Sequence, residues 1–167
     1  MVSKEAVLEV LRTINDPEMP ISIVDLGIVE NVRIEPGTAS DAGAKMSVMI
    51  DLLPTFVGCP ALHAIEEEVR RRINALPGVA EVAVHFRFDP PWTVNRISAA
   101  GREALRQFGV TVPERIEAAA PPCPFCGSSA VQLESSFGPT RCRMIYYCSS
   151  CKSSFEHLKK VVSRLDC

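Results

Sequence analysis

Apolar residues recur along the first hundred residues with two periods, one typical of helices and one typical of strands. Val7, Leu11 and Ile14 follow the i, i+4, i+7 spacing of a helix that Ser3 can cap. The same period predicts two further helices, over about 60–76 and about 98–108.

Strict alternation of apolar and polar residues predicts three strands. The alternating runs cover about 28–34, 46–52 and 82–88. A polar turn that opens at Pro36 and Gly37 separates the first two runs, so we expect those two strands to pair as a hairpin.

The carboxyl-terminal part of the chain contains two Cys-x-x-Cys pairs with twenty-one residues between them, Cys123 with Cys126 and Cys148 with Cys151. Four thiolates at this spacing can surround one tetrahedral ion, usually zinc, because each short gap lets one turn aim two sulfurs at one point. Two disulfides and four unligated thiols are the alternatives. The seven cysteines are odd in number and the first residues are polar, so we expect a reducing, cytoplasmic location that favours the metal.

These patterns divide the chain into a domain over 1–111, a linker over 112–122 and a metal module over 123–167. The linker carries no apolar period and ends in two prolines. The metal module has few large apolar residues, so the ion is expected to supply most of its folding free energy, on the order of 10 kcal/mol.

Charge is distributed unevenly between the two parts. Residues 1–111 contain eleven Lys/Arg and fifteen Asp/Glu, whereas residues 112–167 contain seven and five, giving net charges of −4 and +2. Four thiolates around one zinc ion would bring the second part close to neutrality. A nucleic-acid partner needs a basic face and is therefore disfavoured. No run approaches the roughly eighteen apolar residues of a membrane span, so no membrane partner is expected.

Three cysteines lie outside the two pairs. Cys59 stands between a predicted strand and a helix, and Pro60 at the first helical position would make it the N-cap, where the helix terminus lowers a thiol pKa. This position suits a reactive or metal-binding thiol, although a buried small hydrophobic residue is the alternative. His63 lies one turn later and could act as a base, although a lone histidine in a first turn is more often polar surface. We treat Cys142 and Cys167 as spare, with Cys142 a buried filler of the ribbon hairpin.

Four motifs resemble the metal–sulfur cluster biosynthesis domain family over about residues 4–108. They are Asp16-Pro17-Glu18-x-Pro20, Asp25-Leu26-Gly27, Thr55-x-x-x-Cys59-Pro60 and Asp89-Pro90-Pro91-Trp92. With the two cysteine pairs added, the whole chain resembles the family of D-type subunits of phenylacetyl-CoA epoxidases, which are bacterial multicomponent di-iron monooxygenases of aerobic phenylacetate degradation.

The resemblance implies an α+β fold, with a small mixed three-stranded sheet covered by helices on one side and a zinc-ribbon-like β module after it. It implies that Cys59 is the reactive or cluster-handling thiol. It also marks Asp16, Glu18 and Asp25 as signature residues that are candidates for cofactor binding. His63 lies outside the family pattern, so the resemblance assigns it no role.

Within such a complex the chain is expected to be an accessory component rather than a catalyst on its own. It lacks the Glu-x-x-His repeat of a di-iron site and the glycine and cysteine motifs of a reductase. The resemblance therefore implies a maturation component that delivers iron or an iron–sulfur cluster to other epoxidase subunits, with a structural zinc in its tail.

One thiolate cannot hold a cluster alone. Further ligands must come from a second copy of the chain, a partner or a small thiol. A zinc-ribbon scaffold without metal transfer and a thiol enzyme using Cys59 with His63 are the alternative functions.

Overall fold

The computed structural model describes residues 2–37, 45–56, 58–114 and 120–159, which form two sheets and three α-helices. The predicted α+β class is confirmed. The elements are, in chain order, α1 (Lys4–Arg12), β1 (Val29–Pro36), β2 (Met46–Leu52), α2 (Ala61–Asn74), β3 (Val79–Phe86), a 3₁₀ turn (Val94–Arg96), α3 (Ala99–Gln107), β4 (Val110–Thr111), β5 (Val131–Ser135), β6 (Arg143–Cys148) and β7 (Ser154–Leu158).

The first sheet is small and mixed, with the strand order β1-β2-β3. The strands β1 and β2 pair antiparallel, as the hairpin prediction requires, whereas β2 and β3 pair parallel. The parallel pairing follows from the connectivity. The helix α2 connects β2 to β3 and returns the chain to the end of the sheet at which β2 begins, so β3 runs in the same direction as β2. Apolar residues of β2 and β3 share one core with α1 and α2.

Local sequence signals place most element ends within two residues of the predicted positions. The Ser3 side chain accepts a hydrogen bond from the Ala6 N–H at 3.2 Å, which confirms the predicted cap of α1. The predicted strand over 82–88 is displaced, because β3 begins at Val79 and stops at Phe86, and Phe88 is 60% exposed.

The second sheet has the strand order β4-β7-β6-β5 and includes the two cysteine pairs at its turns. Its edge strand β4 follows directly from α3 and pairs parallel with β7. Val110 of β4 and Leu158 of β7 are buried in the same apolar core as the first sheet. The ribbon is therefore attached to the preceding domain by backbone pairing and by shared apolar burial.

Part of the predicted linker and the end of the predicted metal module fall outside the described residues. Residues 115–119 of the expected linker and residues 160–167, which include Cys167, lie outside the described residues. Within the described ranges, no helix has both the length and the apolar character needed to cross a membrane.

The Asp25-Leu26-Gly27 motif forms a tight junction between the first sheet and α3. The Asp25 carboxylate accepts hydrogen bonds from the Ser98 hydroxyl at 2.7 Å and the Ser22 hydroxyl at 2.9 Å. Gly27 has a φ of +76°, and a Cβ at this position would lie 2.4 Å from the Arg96 carbonyl oxygen. The motif therefore has a structural explanation, because neither the dihedral angle nor the space permits a larger residue.

We expect Gly27→Ala to lower the free energy of unfolding by about 2–5 kcal/mol, because backbone strain and overpacking add together. Gly58→Ala is the matched control, since Gly58 has a φ of +79° but a Cβ there would meet nothing within 4 Å. The control should lose only about 1–2 kcal/mol from backbone strain. Urea unfolding followed by circular dichroism at fixed zinc concentration measures both, and equal losses would contradict the close approach at Arg96.

Candidate metal and thiol sites

The four paired cysteines converge on one point in the ribbon. Their sulfur atoms all lie within 4.8 Å of one another, with 3.6 Å between Cys123 and Cys151 and 3.6 Å between Cys126 and Cys148. A tetrahedral ion with bonds of about 2.3 Å separates its sulfur ligands by about 3.8 Å. The quartet thus has the chemistry and nearly the dimensions of a closed four-thiolate metal site.

Two turns of the same design create this convergence. In each turn, the N–H of the first cysteine donates to the carbonyl five residues later, and its own carbonyl accepts from the N–H four residues later, all at 2.9 Å. The residue immediately after the second cysteine has a positive φ in both turns, 72° at Gly127 and 61° at Lys152. Such turns direct both sulfurs of a pair to one side, as the Cys-x-x-Cys spacing predicts.

The turns also favour the thiolate form of Cys148. The backbone N–H groups of Cys151 and Ser150 point at the Cys148 sulfur and, despite burial, lower its pKa to about 6. Cys148 is fully buried, and Phe155 stacks on Tyr146 beside it with ring centroids 5.8 Å apart. A buried sulfur with backbone donors is typical of a structural metal ligand.

His157 follows the second cysteine pair but is not part of the sulfur quartet. Its Nδ1 is 2.7 Å from the Thr111 hydroxyl, and its ring meets Tyr146 edge-on. Thr111 belongs to β4 and His157 to β7, so this contact reinforces the pairing between the ribbon and the preceding domain.

Cys59 is half-buried just before α2. The N-cap of α2 is Pro60, so Cys59 lies one residue earlier than predicted. Gly58 has a positive φ, which allows the sharp turn from the preceding strand. The Leu62 N–H donates to the Cys59 carbonyl at 3.2 Å, which holds the cysteine backbone against the first turn of the helix.

The pKa of Cys59 is raised overall, although its position before α2 predicted a lowered one. Burial raises this pKa, and the negative charges of Glu18, Cys142 and Asp16 add to the effect. The Ala61 N–H at the start of α2 does lower it, as predicted, but the other contributions outweigh that hydrogen bond. Cys59 is therefore a neutral thiol at physiological pH.

Cys59 faces a small cavity of about 170 Å³ between the first domain and the ribbon. Glu18 contributes to the cavity from the first domain, and Thr140, Arg141 and Cys142 contribute from the ribbon. Sequence reasoning treated Cys142 as a filler, and the structure instead places it at the same cavity as Cys59. The signal in the sequence for a further cysteine at this cavity was the odd number of cysteines. That number does not show which cysteines lie close together in the fold.

The signature carboxylates separate into two groups. Glu18 lines the Cys59 cavity, and Asp16 is close enough for its charge to raise the pKa of Cys59. Asp25 instead contacts Ser98 and Ser22, and these hydrogen bonds, that of Ser98 first, lower its pKa. We therefore keep Asp16 and Glu18 as candidate site residues and describe Asp25 by its observed structural contacts.

His63 lies on the exposed face of α2. Its Nε2 is 3.3 Å from a Glu67 carboxylate oxygen, and its side chain is 77% exposed. It does not line the cavity of Cys59.

Comparisons with known proteins match both parts of the chain. Residues 4–85 match the family described as iron-sulfur cluster assembly protein, and residues 107–159 match the PaaD zinc beta ribbon domain. An Escherichia coli protein, the D-type subunit of a "Putative 1,2-phenylacetyl-CoA epoxidase", is 36% identical over 89% of this chain and 88% of its own length. The chain belongs to this family of D-type epoxidase subunits. The resemblance predicted from the motifs is thereby confirmed.

Other relatives match mainly the first domain of this family member. A Porphyromonas gingivalis protein named Fe-S protein maturation auxiliary factor is 33% identical over 64% of this chain and 91% of its own length. The solved structure of a conserved hypothetical protein from Thermotoga maritima aligns with a TM-score of 0.51 at 32% identity, covering 65% of this chain and 95% of that one. An accessory role related to iron–sulfur proteins follows from these relationships.

We expect the alkylation of Cys59 to report its raised pKa. In the zinc-loaded protein, the rate at Cys59 should rise with pH through a midpoint above that of an ordinary thiol, because only the thiolate reacts. Glu18→Gln should move the midpoint to lower pH by removing a negative charge. Glu67→Gln, on the exposed face of the same helix, should leave it unchanged.

Mass spectrometry of the peptide that contains Cys59 measures the rate separately from other thiols. A wild-type midpoint below that of an ordinary thiol would show an activated thiolate and would contradict this account of the site.

Proposed function

We propose that this protein is an accessory maturation component of a multicomponent di-iron phenylacetyl-CoA epoxidase in aerobic phenylacetate catabolism. In this role it delivers iron or an iron–sulfur cluster to the other subunits. The observation that carries the proposal is Cys59, the signature thiol of an assembly domain, at a cavity that the family's ribbon helps to form. The name of the Escherichia coli relative supports a phenylacetyl-CoA epoxidase as the client. The name of the Porphyromonas gingivalis relative supports an iron–sulfur cargo.

The sulfur quartet is proposed to hold a structural zinc ion. Four cysteine sulfurs at tetrahedral spacing fit zinc, and all four ligand positions are then filled by protein. When bound, the ion would join the two turns and stabilise the ribbon. The surrounding burial of Cys123 and Cys148 limits exchange, so this site is suited to architecture rather than delivery.

Cys59 has the properties of a temporary ligand. A neutral thiol resists oxidation, because the thiolate is the form that oxidants attack. Binding of a metal displaces the thiol proton, and a raised pKa makes the return of that proton easier when the metal leaves. Competition by this proton thus favours release of the metal once the client takes over its coordination, which is what a delivery protein requires.

The two alternative functions receive different support. The ribbon exposes Phe137 by 78% and Phe125 by 55%, which favours a docking role for this module, with or without metal transfer. A thiol enzyme is disfavoured, because the pKa of Cys59 is raised and His63 pairs with Glu67 rather than lining the cavity.

The test replaces Cys59 in the complete epoxidase complex. We expect Cys59→Ala to retain the fold and the zinc of this protein while lowering ring epoxidation and the iron content of the oxygenase subunits. Cys126→Ala is the contrasting variant, since loss of one quartet ligand should release zinc and loosen the ribbon. Activity, elemental analysis and circular dichroism are measured on the same preparations. Undiminished epoxidation and iron loading with Cys59→Ala would refute the delivery role.

A further inference from the structure

We propose that Cys142 is a second sulfur ligand at the Cys59 cavity, so that the two thiols together take up one thiophilic metal ion or one edge of an iron–sulfur cluster. The identification of the cargo as iron or a cluster rests on the proposed function. The two-thiol site itself rests on the cavity and on the hairpin that carries Cys142.

The first support is the meeting of two thiols from different modules. Cys59 precedes α2 in the first domain, Cys142 precedes β6 in the ribbon, and both line the same cavity. Two soft thiolates facing one small cavity favour ions such as zinc, cuprous copper or iron within clusters.

The second support is the rigid attachment of the Cys142 backbone. The Lys159 N–H donates to the Cys142 carbonyl at 2.7 Å, and the Gly138 N–H donates to the Arg143 carbonyl at 2.9 Å. A Cβ at Gly138 would lie 3.0 Å from the Arg143 backbone, so the loop closes tightly at that point. These contacts fix where the hairpin presents its cysteine.

The third support is a polar chain that orients the Cys142 side chain. The Thr140 hydroxyl lies 3.1 Å from the Cys142 sulfur and accepts a hydrogen bond from Arg143 Nε at 2.8 Å. Arg143 is only 4% exposed and forms an ion pair with Glu156. The chain therefore holds the Cys142 side chain in place, as surrounding hydrogen bonds orient the ligands of metal sites in general.

The site would be incomplete by itself, as delivery requires. Among the described residues, the sulfur quartet is the one group of three or more His, Cys, Asp or Glu side chains that is placed to hold a metal ion. A four-coordinate ion on Cys59 and Cys142 would therefore keep positions for water, a small thiol or groups of the client protein. On binding, two sulfur–metal bonds form, both thiols release their protons to solvent, and no electron is transferred.

The test uses phenylarsine oxide, which joins two neighbouring thiols to one arsenic atom and releases water. In the anaerobic zinc-loaded full chain, we expect one arsenical adduct that bridges Cys59 and Cys142. The adduct should be absent in both Cys59→Ser and Cys142→Ser. Cys167→Ser, which deletes the one cysteine assigned to neither the quartet nor the proposed pair, should retain it. Intact-mass and peptide mass spectrometry identify the bridged residues, and zinc content shows that each variant keeps its ribbon.

Ferrous iron provides the second readout. We expect the zinc-loaded wild type to bind additional Fe²⁺ in anaerobic equilibrium dialysis and Cys142→Ser to bind it about tenfold or more weakly. An adduct that survives in Cys142→Ser, or Fe²⁺ affinity unchanged by that substitution, would overturn the second-ligand assignment. An adduct on the expected pair together with undiminished epoxidation by Cys59→Ala would instead refute the delivery role and leave the two-thiol site standing.

Discussion

The parallel pairing of β4 with β7 is the constraint on which the rest of the structure depends. Because β4 follows α3 without a linker, the pairing fixes one edge of the ribbon at the end of the first domain. Val110 and Leu158 then continue the apolar core across the junction. The ribbon is held in one position, and its hairpin lies over the thiol of the first domain rather than turning freely on a tether.

Cys148 and Cys59 differ through backbone donors and nearby charge rather than through residue type. Cys148 is buried but receives backbone N–H groups that stabilise its thiolate, so its pKa falls to about 6. Cys59 receives one such donor, from Ala61, and its burial, together with nearby negative charge, raises its pKa. These differences are consistent with the proposed division, in which the quartet holds a structural ion permanently and Cys59 binds its metal reversibly. A zinc ion in the ribbon would stabilise the hairpin that carries Cys142, and thereby the ribbon side of the Cys59 cavity.

Local chemistry made much of this organisation predictable. The Ser3 cap, the β1–β2 hairpin and the convergence of the two Cys-x-x-Cys turns all depend on residues close together in sequence. The parallel partner of β2 and the recruitment of β4 to the ribbon depend on long-range pairing, which alternation does not encode. The raised pKa of Cys59 depends on a cavity that forms only when distant segments meet. For the same reason, the position of Cys142 in the sequence predicted only a buried filler of the ribbon hairpin.

Native mass spectrometry of the anaerobically purified wild type and Cys59→Ala tests most directly whether the quartet holds zinc while Cys59 holds the iron or cluster. Our account predicts one zinc ion per chain on both proteins, and iron or a cluster on the wild type alone. Iron that persists on Cys59→Ala but disappears with the quartet variant Cys126→Ala would contradict it, because the ribbon would then carry the cargo.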